Sequence, residues 1–201
     1  MVGIVLGAGA SRRLGRPKQT LPLGDTTLLG YVLREAEASA LGRIVLVVGG
    51  AADEALAGIE PSRATVARND SYGSGCASSL LAGLDAAGET DSIMLLLGDM
   101  PGVGAATIDL VAAAWESRRP WAAVTSYRGE RGHPFVFAQN AFGDLRALHG
   151  DKAVWKLVER HPERTLTIEL DRPLPRDVDT WEDYEAALSV LRRSGRAHAA
   201  G

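Results

Sequence analysis

The chain has a single cysteine, Cys76, so neither an intramolecular disulfide nor a cysteine-based zinc cage is available to it. No base is identifiable near Cys76, which reads as a small packing or loop residue rather than a nucleophile. Long apolar runs are also missing. Ile44–Val48 and Ile93–Leu97 are far too short to cross a bilayer. The chain opens directly into a strand-like run from Val2 and then an anion-loop pattern, rather than a cleavable signal. A cytoplasmic protein without a membrane partner is expected. Neither sign of charge is in strong excess: the formal net charge of −3 argues against general nucleic-acid binding. Internal repeats and low-complexity linkers are absent, and 201 residues leave no room for a large second lobe.

Two familiar phosphate-binding fingerprints are absent as well. A P-loop needs four residues between its glycines and then Gly-Lys-Ser/Thr. The N-terminal glycine segment has neither feature. The dinucleotide fingerprint needs a third small residue where Gly7-Ala8-Gly9-Ala10-Ser11-Arg12 places arginine. It also needs an acid at the end of the next strand, whereas Arg43–Val48 runs into Gly49-Gly50-Ala51-Ala52 before Asp53.

What is present instead is Ile-Val-Leu-Gly-Ala-Gly-Ala-Ser-Arg-Arg-Leu-Gly-Arg-Pro-Lys over residues 4–18. An apolar run meets a glycine-bearing turn, where Gly7 and Gly9 permit close backbone approaches. Successive N–H groups in such a turn converge on an anion, and Arg12, Arg13, Arg16 and Lys18 add positive charge. A polyphosphate, most economically a nucleoside triphosphate, fits that combination. A strand-to-helix turn with a solvated basic face fits the same residues.

Strand-like runs at Val2–Leu6, Ile44–Val48, Thr65–Ala67, Ile93–Leu97 and Ala122–Thr125 alternate with helical segments at Thr27–Ser39, Ala77–Ala87 and Ala105–Ser117, with a short helix at Asp53–Ala57. The first, second and fourth runs lack strict apolar–polar alternation, as strands covered on both faces do. The second half predicts strands at Pro134–Ala138, where an antiparallel sense is open, and at Thr165–Glu169, with helices at Lys152–Glu159 and Thr180–Arg193. This is an α/β pattern: a single-domain, three-layer, Rossmann-like fold with a mostly parallel sheet. Residues 1–190 make the domain and 191–201 a tail with little to bury. Three chemically suggestive segments are expected beyond strand ends, where such sheets bind ligands: Gly7–Lys18, Gly98-Asp99-Met100-Pro101 and Arg131-Gly132-His133-Pro134.

Asp99, after five apolar residues, suits Mg²⁺, a hard cation that takes carboxylate, water and phosphate oxygens; it also suits a turn before proline. Asp177-Val178-Asp179-Thr180-Trp181-Glu182-Asp183 offers further carboxylates, and its acids equally suit a helix start.

With these residues in place the chain resembles the nucleotidyltransferases that activate the molybdenum cofactor, the cytidylyltransferase branch in particular. Leu6-Gly7-Ala8-Gly9-Ala10-Ser11-Arg12-Arg13-Leu14-Gly15…Lys18 is similar to the family's opening signature. Further landmarks follow in order: Asn69…Tyr72…Gly75…Ser79-Leu80…Gly83-Leu84, Gly98-Asp99-Met100-Pro101, Gly132-His133-Pro134, Gly150-Asp151 and Asp177…Asp183. Gly7, Leu14 and Trp181 depart from the family's usual alanine, methionine and proline.

The resemblance implies a nucleotidyltransferase fold and an enzyme that transfers CMP from CTP to the terminal phosphate of a molybdopterin-type acceptor, releasing pyrophosphate. Ala8 accompanies the CTP-using members, whereas guanylyl relatives carry glycine there, so CTP is favoured over GTP. By the same resemblance, Leu6, Gly7, Ala8, Gly9, Arg13, Lys18, Gly75 and Ser79 border the nucleotide. Arg13, Lys18 and Asp99 carry the chemistry, and Asp99 with Asp179 holds Mg²⁺. Ser78–Ser79 also suit a plain helix start. His133 faces the pterin or product, or is a hydrogen-bonded structural residue. Trp115, Trp121 and Trp155 read as packing. A recipient molybdoenzyme is a further expected partner. Alternatives are guanylyl transfer, transfer to a sugar phosphate or phospholactate, and a non-catalytic molybdopterin-binding chaperone. Asp99→Asn and Lys18→Ala are both expected to impair triphosphate use while leaving thermal unfolding nearly unchanged.

Overall fold

Apolar strands covered on both faces need helices above and below them, and the chain supplies both. The computed structural model describes residues 1–9, 11, 13–150 and 153–199, the stretch 193–199 by its backbone alone. Arg12, Asp151 and Lys152, named above, lie outside the described residues.

Four parallel strands build the N-terminal half: β1 (Val2–Gly7), β4 (Arg43–Val48), β5 (Ala64–Arg68) and β6 (Ser92–Leu97). A two-stranded ribbon, β2 (Pro22–Leu23) with β3 (Thr26–Thr27), precedes the first helix. The C-terminal half adds β7 (Ala122–Tyr127), β8 (Glu130–Ala138) and β9 (Thr165–Leu170). The seven-stranded sheet has the order β5-β4-β1-β6-β8-β7-β9. β8 alone runs against its neighbours, and β7 pairs with β9 in parallel. The fold is thus one α/β domain with a mostly parallel sheet.

Three helices cover one face: α1 (Leu28–Ala38), α2 (Ala52–Ala57) and α4 (Ala105–Glu116). Their Leu29, Val32, Leu33, Ala52, Ile108, Val111 and Trp115 pack on Val5, Leu46 and Leu96. α3 (Cys76–Ala87), α5 (Phe142–Arg146) and α6 (Ala153–Arg160) cover the other face, with Leu80, Leu84, Leu145 and Leu157 against Ile4, Val47 and Phe135. Thr27 caps α1, its hydroxyl accepting from Gly30 N–H at 3.1 Å.

The last helix, α7 (Trp181–Ala199), extends beyond the Arg193 end expected for it. It packs through Tyr184, Ala187, Leu188 and Leu191 in a third apolar cluster with Leu14, Leu21, Leu23, Leu28 and Val178. That small core fastens the C-terminal segment to the N-terminal loop. Among the described residues, no helix is long and apolar enough to cross a membrane.

The chain runs outward from β1 to β4 and β5, then returns to place β6 on the other side of β1. This reversal is a topological switch point, and the crevice beyond the strand ends there is where such sheets bind ligands. The segment Arg131-Gly132-His133-Pro134 corrects the sequence reading. It lies within β8 rather than in a loop beyond a strand end, because the turn after β7 is only Arg128-Gly129.

Candidate functional site

At the switch point β1 and β6 are so close that Gly98 N–H donates to Leu6 O at 2.9 Å. A Cβ at Gly98 would lie 2.9 Å from that oxygen and 2.6 Å from Leu29 Cδ1, so only glycine fits this junction. The cleft above it encloses about 390 Å³, within the size range of small-molecule sites. Leu6, Gly7, Ala8, Gly9, Arg13, Lys18, Gly75, Ser79, Asp99 and Asp179 all line it.

The loop after β1 is tied down by its own side chains. Lys18 N–H donates to Ser11 Oγ at 2.8 Å, and Gln19 Nε2 donates to Gly9 O at 2.9 Å. These bonds fold the single turn Lys18–Thr20 back on the loop and bury Lys18 and Gln19. Ser11 and Gln19 also line the cleft, although neither was singled out for the site from the sequence. Ser11 stood inside the quoted opening motif, which was the available signal; Gln19, one residue beyond Lys18, carried none.

On the opposite wall, Asn69 joins β5 to α3. Its N–H donates to Val48 O at 2.8 Å and its Nδ2 to Ser79 Oγ at 2.9 Å. Gly75 caps α3 at φ 108°, a left-handed conformation that disfavours side chains. Cys76 is the first residue of α3 and is exposed on the cleft wall, so it is neither the packing nor the loop residue expected.

Charge gathers at one end. Lys18 Nζ donates to Asp179 Oδ1 at 2.8 Å and also contacts Asp99 Oδ2, while Arg13 Nη2 donates to Asp179 Oδ2 at 2.7 Å. Lys18 is therefore held between both expected metal-ligating carboxylates. Burial acts to lower its pKa, but Asp99 and Asp179 outweigh it and raise the ammonium above the ordinary 10.5. Burial pushes the Asp99 carboxyl above 3.8 against the pull of Lys18, and Asp177 adds repulsion. Lys18 thus stays charged and Asp99 carries the cost of the dry site. The hydrogen bond from Lys18 holds the more open Asp179 below its usual value, outweighing its partial burial.

Asp179 reaches this position because Val178 N–H donates to Asp99 O at 2.9 Å and Val178 is buried in the third cluster. Asp183 fixes the turn, its Oδ2 accepting from Thr180 N–H at 2.8 Å and Thr180 Oγ1 at 2.7 Å.

Asp99 Oδ1 is buried without a hydrogen-bond partner. Such an oxygen is costly to leave unmet and is a natural cation ligand. Among the described residues no group of three or more His, Cys, Asp or Glu is poised for a metal. Two carboxylates would leave the remaining positions of a hard divalent ion to phosphate and water.

His133 is not among the residues lining this cleft. It is buried edge-on to Phe135 and Trp155, with Nδ1 at 3.4 Å from Leu95 O. Burial pushes its pKa down to about 4. Trp115, Trp121 and Trp155 pack away from the cleft, as read from the sequence.

A three-layer α/β fold with a basic glycine loop and an aspartate facing it across the switch point is the arrangement of a nucleotidyltransferase-class enzyme. Residues 3–165 match the MobA-like NTP transferase domain, and the chain belongs to that family. Curated relatives include nicotine blue oxidoreductase of Paenarthrobacter nicotinovorans, 35% identical over 94% of this chain and 96% of that protein. Molybdenum cofactor cytidylyltransferase of Escherichia coli is 31% identical over 68% and 69%. The crystal structure of Rv0371C in complex with manganese, from Mycobacterium tuberculosis, is 36% identical. It covers 94% of this chain and 97% of its own, with a TM-score of 0.78.

Proposed function

We propose that this enzyme transfers a nucleotidyl group from a nucleoside triphosphate, CTP in preference to GTP, to the terminal phosphate of a molybdopterin-type acceptor. The observation that carries the reading is the cluster Arg13–Lys18–Asp99–Asp179 at the end of the glycine loop. Family membership alone does not choose the reaction, since one relative of full-length likeness is named an oxidoreductase. The likeness to the cytidylyltransferase supports the CTP and molybdopterin parts, and Ala8 is consistent with them.

Backbone N–H groups of the glycine loop, with Arg13, receive the β- and γ-phosphates. Lys18 leaves one carboxylate to neutralise charge that grows on the triphosphate as an acceptor phosphate oxygen attacks the α-phosphorus and the bond to pyrophosphate breaks. The acceptor is already an anion, so no general base is required of the chain. Its residues act by positioning and by electrostatics. Asp99 and Asp179 would hold Mg²⁺. The ion would supply neutralisation of phosphate charge. A related mycobacterial protein has been crystallised in complex with manganese, which supports a divalent ion as part of this reading.

The test is pyrophosphate release from Mg²⁺ with each of CTP, GTP, ATP and UTP, supplied with molybdopterin, a sugar phosphate or phospholactate. CTP with molybdopterin is expected to give the fastest release. Turnover with GTP alone would refute the base assignment. Reduction of a dye by NAD(P)H without pyrophosphate release would refute nucleotidyl transfer itself.

A further inference from the structure

The cleft has two chemically different ends. Arg13, Lys18, Asp99 and Asp179 crowd one of them, whereas the wall made by Tyr72, Gly73, Gly75, Cys76 and Ser79 carries no formally charged acid or base of the Lys, Arg, Asp, Glu type. Successive residues of the glycine loop divide between these ends. A Cβ at Gly9 would sit 3.7 Å from Lys18 Cε, on the charged side. Ala8 faces the other way: its Cβ is 2.9 Å from where a Gly49 Cβ would stand, and Tyr72 Cβ is equally close to that point.

Tyr72 is the one aromatic side chain on the cleft wall among the described residues. Its ring lies against the backbone that leaves β4. A Cβ built on Gly50 would be 2.3 Å from both Cζ and Oη of that ring, and 2.8 Å from Cε1. The pair Gly49-Gly50 is therefore a seat that only α-carbons without a side chain provide. The ring is placed without being buried: Tyr72 is 40% exposed. An exposed aromatic held at the uncharged end of a triphosphate-sized cleft has an evident partner in a flat heterocycle.

We propose that Tyr72, seated on Gly49-Gly50 beside Ala8, is the wall against which the nucleobase packs. The assignment rests on the nucleotidyl-transfer reading and adds the residue that holds the nucleoside half of the substrate. The triphosphate is held at the opposite end, so the two halves are recognised by separable groups. Tyr72 acts in binding and alignment, and takes no part in the bond changes.

The test is calorimetric titration of the full chain with CTP and with inorganic tripolyphosphate, both with Mg²⁺ present. Tyr72→Ala is expected to weaken CTP roughly 5- to 100-fold, the range for loss of a base–aromatic contact. Tripolyphosphate affinity is expected to stay within about twofold, because that ligand has no base. Tyr72→Phe keeps the ring and should bind CTP like the parent. Gly50→Ala keeps the tyrosine but displaces its ring, and should reproduce the Tyr72→Ala loss. Unchanged CTP affinity in Tyr72→Ala, or an equal loss for tripolyphosphate, overturns the role of Tyr72 alone. A parent protein that takes up tripolyphosphate or nothing, but no nucleoside triphosphate, overturns the proposed function as well.

Discussion

Replacing Lys18 by methionine removes the ammonium while keeping most of its buried stem. Its side chain is only 9% exposed and bridges two carboxylates. Asp179 retains Arg13, but Asp99 loses the cation in contact with it. Breaking a buried ion pair by removing one partner costs about 3–5 kcal/mol. Asp99 keeps 20% of its side chain exposed to the cleft, which places the expected cost at the low end, about 3 kcal/mol. For a domain of this size that is a fall in Tm of about 6–12 °C at neutral pH. This departs from the expectation drawn from sequence alone, that Lys18 variants would melt like the parent.

The deficit has a pH signature. Burial already raises the Asp99 pKa, and losing Lys18 raises it further. A group with a raised folded pKa contributes stability that is present below its unfolded value, near 3.8, and lost as pH climbs through its folded value. The deficit of Lys18→Met should therefore shrink on acidification, when Asp99 is protonated and no longer needs a cation. Circular-dichroism melts of both proteins at about pH 7.5 and about pH 4.5 measure this. Equal deficits at the two pH values, or no deficit at either, would show that Asp99 does not depend on Lys18.

Asp99→Asn acts in the opposite sense. Lys18 keeps Asp179, so Tm should change by only about 2–4 °C, while turnover falls by about 10²–10³ in the pyrophosphate assay. His133, held neutral by burial with a pKa of about 4, binds protons less readily folded than unfolded. It should cost the parent about 3 kcal/mol as pH falls from 6.5 through 4, a slope that His133→Gln lacks in denaturant titrations. Ala8→Gly should shift the ratio of CTP to GTP turnover toward GTP; an unchanged ratio would remove Ala8 from base selection.

The strands and major helices were legible because buried strands are short unbroken apolar runs and the helices have clear boundaries. Thr27 marks the start of α1 through its cap, and glycine ends α3. The β2–β3 ribbon has two residues per strand and α5 has five, too short for any periodicity to register. The Arg131–His133 stretch looked like a loop because Gly132 is a poor strand residue. In the fold Gly132 faces Leu174 at a point where a Cβ would be 2.4 Å away, a tertiary demand that no local pattern records. For the site, spacing along the loop pointed to Lys18, and strand-end position pointed to Asp99. The carboxylates that flank the Lys18 ammonium come from distant parts of the chain, so their convergence on it was not readable. Neither was Tyr72 as a wall, since its seat is two glycines on a different strand end.

Lys18 and Asp179 are separated by 161 positions yet share a hydrogen bond. As the chain leaves the ribosome, the glycine loop emerges first and its second carboxylate only after nearly all of the core. The half-made protein thus carries an anion-binding turn without the group that completes its charge balance. Docking of α7 through Leu188 and Leu191 onto Leu14 and Leu21 is then the closing step that turns a folded sheet into a complete site.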